Sequence, residues 1–140
     1  GLVNTSESGS TSGNVTIASY ANLHAGTVGV GEVSVLETVA ITLATTTQTA
    51  IDTFSVSTYR SCKYAIQATN TVTSEYQVVE VLLIHNGSTA YITTYGTIYT
   101  GSAELATFAV DISSGSVRLL VTGASANSTQ YKITRMSTVV

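Results

Sequence analysis

Short runs in which apolar and polar residues alternate, separated by turn-forming residues, follow one another from Glu32 to the end of the chain. In "YRSCKYAIQAT", Cys62, Tyr64 and Ile66 occupy every second position, with polar or small residues between them. A period of two is typical of β-strands with one buried face. No segment keeps a helical period of apolar residues over ten or more positions. The pattern predicts strands at residues 33–44, 49–57, 59–69, 74–85, 88–96, 105–112, 116–122 and 129–136.

The spacing of these runs indicates the fold class. About eight strands that follow one another at intervals of roughly 8–12 residues are typical of an antiparallel sandwich or barrel. Because the chain contains no proline, Gly, Asn and Ser must form its turns. We expect an all-β fold, an antiparallel β-sandwich that is jelly-roll-like, with an extended N-terminal arm. The strand order stays open between a jelly roll and a simpler sandwich.

The first 31 residues differ in composition from the rest. Residues 1–13 consist mainly of Ser, Gly and Thr, as in flexible leaders, and residues 14–31 mix β-branched residues with many small ones. A start without methionine is expected of a processed chain or of a piece of a longer protein. We therefore divide the chain into a leader and docking arm, residues 1–31, and a sandwich domain, residues 32–140. The arm is expected to dock on the domain or on a neighbouring subunit through Val15, Ile17, Tyr20 and Leu23.

The segment "LLIHNGSTAYITTYG", residues 82–96, combines a turn signal with a histidine and two tyrosines. Asn86–Gly87 between two strand-forming runs predicts a hairpin with a type I′ turn, which requires positive φ at both central residues. His85 then stands just before the turn, at a strand end, and we expect it to be half exposed. One interpretation makes His85 a ligand or a base. Without a paired group, a turn-flanking polar residue is the simpler interpretation.

Composition excludes two classes of partner. Charged residues make up 9% of the chain, against about 25% in average domains, whereas 25 Thr and 18 Ser supply a hydroxyl-rich surface. Five Lys and Arg residues are too few for a basic patch, so nucleic acid is not an expected partner. The longest apolar run, "VVEVLLI", is interrupted by Glu80 and is shorter than the roughly 18 residues of a membrane helix. We therefore expect no membrane insertion.

The residue types that carry enzyme chemistry do not form a recognisable set. The histidines are His24, in the arm, and His85, and neither lies in a nucleophile motif with a serine and an acid. Two histidines and the single Cys62 do not have the spacing of a zinc site. We expect no enzyme, no metal and no cofactor, and we interpret Cys62 as a small buried core residue. A hydrolase with its site around His85 and Glu80 is the least supported alternative.

Glu80 stands inside an apolar strand, where an unpaired charge is costly. The preceding predicted strand carries Arg60 and Lys63. We expect Glu80 to be buried in a structural ion pair with one of these two residues rather than to act in catalysis.

Tyrosine is the residue type best suited to surface recognition, because the chain has eight tyrosines and no tryptophan. Tyr91, Tyr95 and Tyr99 follow the hairpin, and a period of two puts Tyr91 and Tyr95 on one face of their strand. A tyrosine ring offers apolar area with a polar tip, which suits a subunit interface or stacking on a sugar. Rings that only cover the sheet or fill its core are the alternative. The predicted recognition or interface residues are Tyr91, Tyr95, Tyr99 and His85.

Three motifs carry a resemblance to a known family: "RSCKYAIQ" at residues 60–67, "IHNGS" at 84–88 and "FAVDISSGSVRL" at 108–119. In this order they resemble the C-terminal β-rich domain of virion structural proteins from tailed bacteriophages, especially marine myophages and cyanophage-type viruses. The likeness covers roughly residues 54–136, and residues 1–31 do not take part in it.

This resemblance implies a non-enzymatic virion structural protein: a tail fibre, a neck or tail component, or a capsid-decoration protein. Such a protein is part of the extracellular particle and is assembled in the host cytoplasm. We expect it to contact other virion proteins and to self-assemble through β-sheet edges and the N-terminal arm, with a trimer as the favoured homo-oligomer. The alternative is a carbohydrate-binding host-receptor module that binds a surface glycan through an exposed tyrosine face. The family provides no catalytic residues to transfer to this chain.

Overall fold

The computed structural model describes residues 27–140, and these residues form two antiparallel β-sheets. No helix occurs in this range, and so none that could cross a membrane. The strands are β1 (Thr27–Val30), β2 (Ser34–Leu43), β3 (Thr49–Ser55), β4 (Tyr59–Asn70), β5 (Glu75–His85), β6 (Ala90–Tyr99), β7 (Ala106–Ser113), β8 (Ser116–Gly123) and β9 (Thr129–Val139).

The all-β sandwich predicted from the sequence is confirmed. Strands β2 to β9 coincide with the eight predicted runs to within a few residues at each end. β1 is an additional strand, which lies in the predicted arm and pairs with β2. The boundary between residues 31 and 32 stays a prediction. The arm positions Val15, Ile17, Tyr20 and Leu23 lie outside the described residues, as does His24.

The larger sheet has six strands in the order β1-β2-β9-β4-β5-β6, and the smaller sheet has the order β3-β8-β7. Strands β4, β5 and β6 follow one another as hairpins, while β9 returns from the smaller sheet to pair beside β4. This is the Greek-key order 4-1-2-3 that is common in β-sandwiches. The jelly-roll-like detail of the expected fold goes beyond this order and stays a prediction.

The core lies between the two sheets, where every second residue of a strand is buried. In β4 the buried residues include Cys62, Tyr64 and Ile66, which belong to one cluster with Val117 and Leu119 of β8. The alternation that predicted these strands therefore also predicted which of their residues fill the core. Since the inner face of the larger sheet is covered by the smaller sheet, its other face is turned outward.

A buried glutamine joins β5 of the larger sheet to the start of β7 in the smaller sheet. Gln77, on the inner face of β5, accepts hydrogen bonds through Oε1 from the amides of Leu105 (2.6 Å) and Ala106 (3.1 Å). Its Nε2 donates to the carbonyl of Ala106 at 3.0 Å. These bonds fix the start of β7 against β5 and satisfy a polar side chain that would otherwise be costly to bury.

The hairpin between β5 and β6 is confirmed, but the predicted type I′ turn is wrong. Gly87 has φ of 102°, whereas Asn86 is not among the residues with positive φ. The loop has four residues, Asn86 to Thr89, and the amide of Asn86 donates to the carbonyl of Thr89. Oδ1 of Asn86 accepts hydrogen bonds from the amides of Ser88 (3.0 Å) and Thr89 (2.8 Å). The asparagine thus acts through its side chain rather than through a left-handed backbone.

Candidate functional site

The outward face of the six-stranded sheet carries most of the exposed large apolar residues of the described chain; we call it the outer face. Directly paired residues of neighbouring strands point to the same side of a sheet, so the strand register defines its members. One row across the sheet, for example, runs from Leu36 through Met136 and Lys63 to Leu82. The exposed apolar residues on this face are Leu36, Tyr76, Val78, Leu82, Ile84, Tyr91, Tyr95, Ile98 and Met136.

One corner of the outer face is lined by exposed apolar side chains, and we call it the apolar corner. Leu82, Ile84 and Tyr91 there remain 50%, 53% and 54% exposed. Ile84 and Tyr91 are direct cross-strand partners of β5 and β6. A shallow cavity of about 440 Å³ lies among these side chains, with Ser61 and Thr93 at its border. The apolar corner is therefore a shallow apolar depression that is open to water in the isolated chain.

The opposite part of the outer face is a depression, which we call the groove. Its floor consists of the small residues Thr38, Ala40, Ala65 and Thr134 on β2, β4 and β9, and its volume is about 490 Å³. Small side chains at paired positions leave this space because the neighbouring rows carry larger ones. Gln67 and Lys132 supply polar groups at its border.

An ion pair crosses the middle of the outer face. Nζ of Lys63 lies 3.0 Å from Oε1 of Glu80, and the ammonium group also stands 5.9 Å from the ring centre of Tyr95. The hydrogen bond from Lys63 lowers the pKa of Glu80, and the same bond raises the pKa of Lys63. The predicted ion pair is thus confirmed with Lys63 as the partner. Its predicted burial is wrong, since the two side chains are 40% and 38% exposed.

The predicted tyrosine face is only partly formed. Tyr91 and Tyr95 share the outer face, as the period of two indicates. Between them and Tyr99, however, β6 contains a bulge in which Gly96 has φ of 65°. The extra residue changes the alternation, so Tyr99 pairs with the inward-facing Gln77 and Ile98 takes its place on the outer face. A role of these rings in recognition stays a prediction.

His85 is 2% exposed, which contradicts the expected half exposure. It lies on the inner face of β5, where Nε2 is 2.6 Å from the carbonyl oxygen of Tyr59 and Nδ1 accepts a hydrogen bond from the amide of Gly87. This pattern assigns the proton of a neutral ring to Nε2, which donates to Tyr59. Glu80 lies on the opposite face of the same strand, so the structure does not bring the two residues together. His85 serves here to anchor the hairpin.

A buried charged cluster joins the two sheets, and sequence analysis did not identify it. Nη1 of Arg135, on β9, donates to Oδ2 of Asp52 at 2.6 Å, and Nη2 is paired with Glu37. The hydroxyl of Tyr64 donates to the same Asp52 oxygen at 3.0 Å. The guanidinium group also stands 5.1 Å from the ring centre of Phe54. In β9, Arg135 follows the buried Tyr131 and Ile133 at alternate positions. This alternation is the sequence signal that predicts burial of Arg135.

Cys62 is buried in the core, as predicted. Burial raises the pKa of its thiol to about 12.

The described residues contain no group of three or more His, Cys, Asp or Glu side chains arranged to hold a metal ion. The outer face carries the largest set of exposed apolar side chains among the described residues, and a surface of this kind suits binding.

No protein-family model matches the chain, and no curated protein matches it. Among solved structures, the tailspike protein gp49 of Acinetobacter baumannii bacteriophage Fri1, a capsular polysaccharide depolymerase, aligns with a TM-score of 0.47 at 16% identity, over 81% of this chain and 21% of that chain. The tailspike of Acinetobacter phage vB_ApiP_P1 aligns with a TM-score of 0.44 at 16% identity, over 91% and 25%. The tailspike of Acinetobacter baumannii phage AM24 aligns with a TM-score of 0.36 at 9% identity, over 75% and 26%. The chain spans about a quarter or less of each of these proteins, and TM-scores below 0.5 do not establish a common fold.

Proposed function

We propose that this chain is a non-enzymatic structural protein of a bacteriophage virion that associates with further copies of itself and with other virion proteins. The sequence motifs at residues 60–67, 84–88 and 108–119 support the phage assignment. The observation that carries the assembly role is the outer face, because a soluble monomer rarely leaves so many large apolar side chains together in water. The marine myophage and cyanophage type stays a prediction from the resemblance.

The edges of the larger sheet also support self-assembly. β1 and β6 each pair with one neighbour only in the described part of the chain. Neither strand contains a Lys, Arg, Asp, Glu or Pro residue, and these are the residues with which proteins commonly protect an open edge. β1 covers residues 27–30 of the predicted arm, so the described end of the arm forms one of these open edges. Within this proposal, sheet edges and the arm join the subunits, with a trimer as the favoured assembly.

The phage assignment is tested on particles. Antibodies raised against this chain should label purified virions of a phage that carries its gene, and peptides of the chain should be found in those virions. A position on the tail indicates a fibre, neck or tail component, and a position on the head indicates a decoration protein. Particles that contain none of the chain contradict the proposal.

The arm is tested by replacing Val15, Ile17, Tyr20 and Leu23 with serine in the full chain. A lower assembly state by light scattering, with an unchanged far-UV circular dichroism spectrum, is the expected result. Replacing Ser6, Ser8, Ser10 and Ser12 with alanine is the matched control and should leave the assembly state unchanged. Equal assembly of both variants contradicts a docking role for the arm.

Carbohydrate binding is a second candidate, and one observation favours it. Tyr95 stands beside the Lys63–Glu80 pair on the same face as the groove, so an aromatic ring and charged hydrogen-bonding groups adjoin a depression that admits a sugar. Replacing Tyr91 and Tyr95 with alanine should then abolish binding to host surface glycans. Tyr99→Ala is the matched control, because Tyr99 faces the other side of β6. Equal glycan binding by all three proteins contradicts this candidate.

A further inference from the structure

We propose that Asn86 is a site of spontaneous covalent modification that the folded chain keeps closed, and that His85 is the residue that closes it. The modification is the loss of the side-chain amide of Asn86 through attack by the backbone nitrogen of the next residue. This inference goes beyond the proposed function and does not depend on it, because it concerns the covalent chemistry of one turn.

Asn86 has the most reactive surroundings of any asparagine in the chain, since it is the only one followed by glycine. Glycine has no Cβ to hinder the approach of its backbone nitrogen to the preceding side chain. In the reaction, the nitrogen of Gly87 loses its hydrogen and forms a bond to Cγ of Asn86. The bond from Cγ to the side-chain nitrogen breaks, and that nitrogen leaves as ammonia with the proton. Water then opens the cyclic imide and leaves aspartate or isoaspartate at position 86.

Burial does not protect this turn, because residues 86–89 are all exposed and water reaches them. Isoaspartate would add a methylene group to the backbone of the turn, and either product would add a negative charge. The loop between β5 and β6 closes through the hydrogen bond from the amide of Asn86 to the carbonyl of Thr89, and a longer backbone cannot keep that geometry. Protection of the site must therefore come from the conformation of the turn.

The backbone nitrogen of Gly87 is directed at His85. Its hydrogen is donated to Nδ1 of His85 at 3.0 Å. The bond to Cγ of Asn86 would form in the direction that this hydrogen now occupies, because both positions lie in the peptide plane on the same nitrogen. While the hydrogen bond exists, that direction ends on the imidazole ring. The ring is itself fixed, since His85 is buried and its Nε2 lies 2.6 Å from the carbonyl oxygen of Tyr59.

The side chain of Asn86 is held as well. Its Oδ1 accepts hydrogen bonds from the amides of Ser88 (3.0 Å) and Thr89 (2.8 Å), and from the hydroxyl of Ser88 at 3.1 Å. These bonds fix the carboxamide to the far side of the turn, so Cγ cannot rotate toward the nitrogen of Gly87 without breaking them. The site therefore reacts only when the turn opens, at a rate proportional to the open population.

The test compares the conversion of Asn86 in the folded full chain with its conversion in the same chain unfolded in guanidinium chloride. Both samples are incubated in mildly alkaline buffer, and peptide mapping by mass spectrometry measures aspartate and isoaspartate at position 86. The folded chain should react at least about tenfold more slowly, since one or two hydrogen bonds change the open population by about that factor. Equal rates in the two samples would overturn the inference.

Two variants separate the hydrogen bond at Nδ1 from the rest of the histidine. His85→Gln keeps a donor for the carbonyl of Tyr59 but has no acceptor at the position of Nδ1, so the folded chain should react about tenfold faster. His85→Asn keeps an acceptor near that position and should react at about the rate of the natural chain. Equal rates for the two variants would overturn the role of His85. A His85→Gln variant that reacts more slowly than the natural chain would make His85 a base for the reaction and would overturn it too.

Asn127 is the internal control for a general loss of stability. It is followed by serine and lies in the loop between β8 and β9, away from His85. In His85→Gln the rate at Asn86 should rise while the rate at Asn127 stays the same. A rise of both rates by the same factor would assign the effect to unfolding of the whole chain and would overturn the role of His85.

Discussion

Replacing Arg135 with methionine tests whether the buried charged cluster holds the two sheets together. The Arg135 side chain is 6% exposed, and it connects Glu37 in the larger sheet with Asp52 in the smaller one. Methionine keeps most of the apolar stem, so the substitution removes mainly the charge and its hydrogen bonds. Asp52, whose side chain is 9% exposed, then loses its cationic partner in the core.

The expected cost follows from these contacts. Each hydrogen bond between charged groups contributes about 1.5–3 kcal/mol, and Arg135 makes one to each carboxylate. Removing one partner of a buried ion pair costs about 3–5 kcal/mol, because the remaining charge stays desolvated. We therefore expect the free energy of unfolding to fall by about 3–5 kcal/mol, out of the roughly 5–15 kcal/mol that is typical of a domain. Adding Asp52→Leu to Arg135→Met should recover part of this loss, because no buried charge then remains unpaired at that position.

The assay is urea unfolding followed by circular dichroism, at one fixed protein concentration so that assembly does not alter the comparison. With a slope of about 2 kcal/mol per molar urea, the midpoint should decrease by roughly 2 M. Arg118→Met is the matched control, since Arg118 also pairs with an acid, Asp111, but these two side chains are 37% and 39% exposed. Its effect should be smaller, because neither Asp111 nor Arg118 is left as a buried unpaired charge and water can solvate the remaining group. Equal midpoints for the two variants would refute the assignment of the cluster as a stabilising connection between the sheets.

Three further predictions concern single residues of the core and the turns. Burial raises the pKa of Cys62 from 9.0 to about 12. The contribution of the neutral thiol to stability is therefore present below pH 9 and is lost as the pH rises from 9 toward 12, at about 1.4 kcal/mol per pH unit. The stability of Cys62→Ala, measured by unfolding between pH 8 and pH 11, should therefore decrease less steeply than that of the natural chain, and equal slopes would contradict this cause. Gln77→Ala should lower the free energy of unfolding by about 2–4 kcal/mol, because the amides of Leu105 and Ala106 lose their acceptor. Hydrogen exchange of these two amides should become faster, and unchanged exchange would show that another group fixes β7. Gly96→Ala should lower the free energy of unfolding by about 1–2 kcal/mol in thermal or urea unfolding, because φ of 65° is unfavourable for a residue with a Cβ. The space around Gly96 is open, so no clash adds to this cost. A variant as stable as the natural chain would contradict the bulge.

The alternation of apolar and polar residues was sufficient to predict the strands. It identified β2 to β9 and the inward-facing residues of β4, because a strand between a core and water must change side at every residue. The same alternation also predicts which single side chains of β5 and β9 are exposed or buried. In "VVEVLLI", Glu80 marks the outward side, so Val78, Leu82 and Ile84 were predictable as exposed. In β9, Arg135 stands at a core parity, which predicts a buried charge that requires partners.

The identity of those partners depended on the tertiary structure. Arg135 and Asp52 are 83 residues apart in the chain, and they meet because β3 and β9 belong to different sheets that pack against each other. The sequence also did not predict the orientation of Tyr99, since one extra residue in β6 changes the side to which every later residue of the strand points. His85 followed the alternation of β5 into the core, and the carbonyl of Tyr59 and the amide of Gly87 satisfy its ring there.

The sequence by itself determined which segments are strands and which side of each strand is apolar, because these properties depend on residues that are neighbours in the chain. The tertiary structure decided which strands are adjacent, which charges meet and how the exposed side chains combine into the outer face and its depressions. These features depend on the register between strands and on the packing of one sheet on another. Register and packing are set by the sum of many contacts between distant residues, and no local pattern specifies that sum.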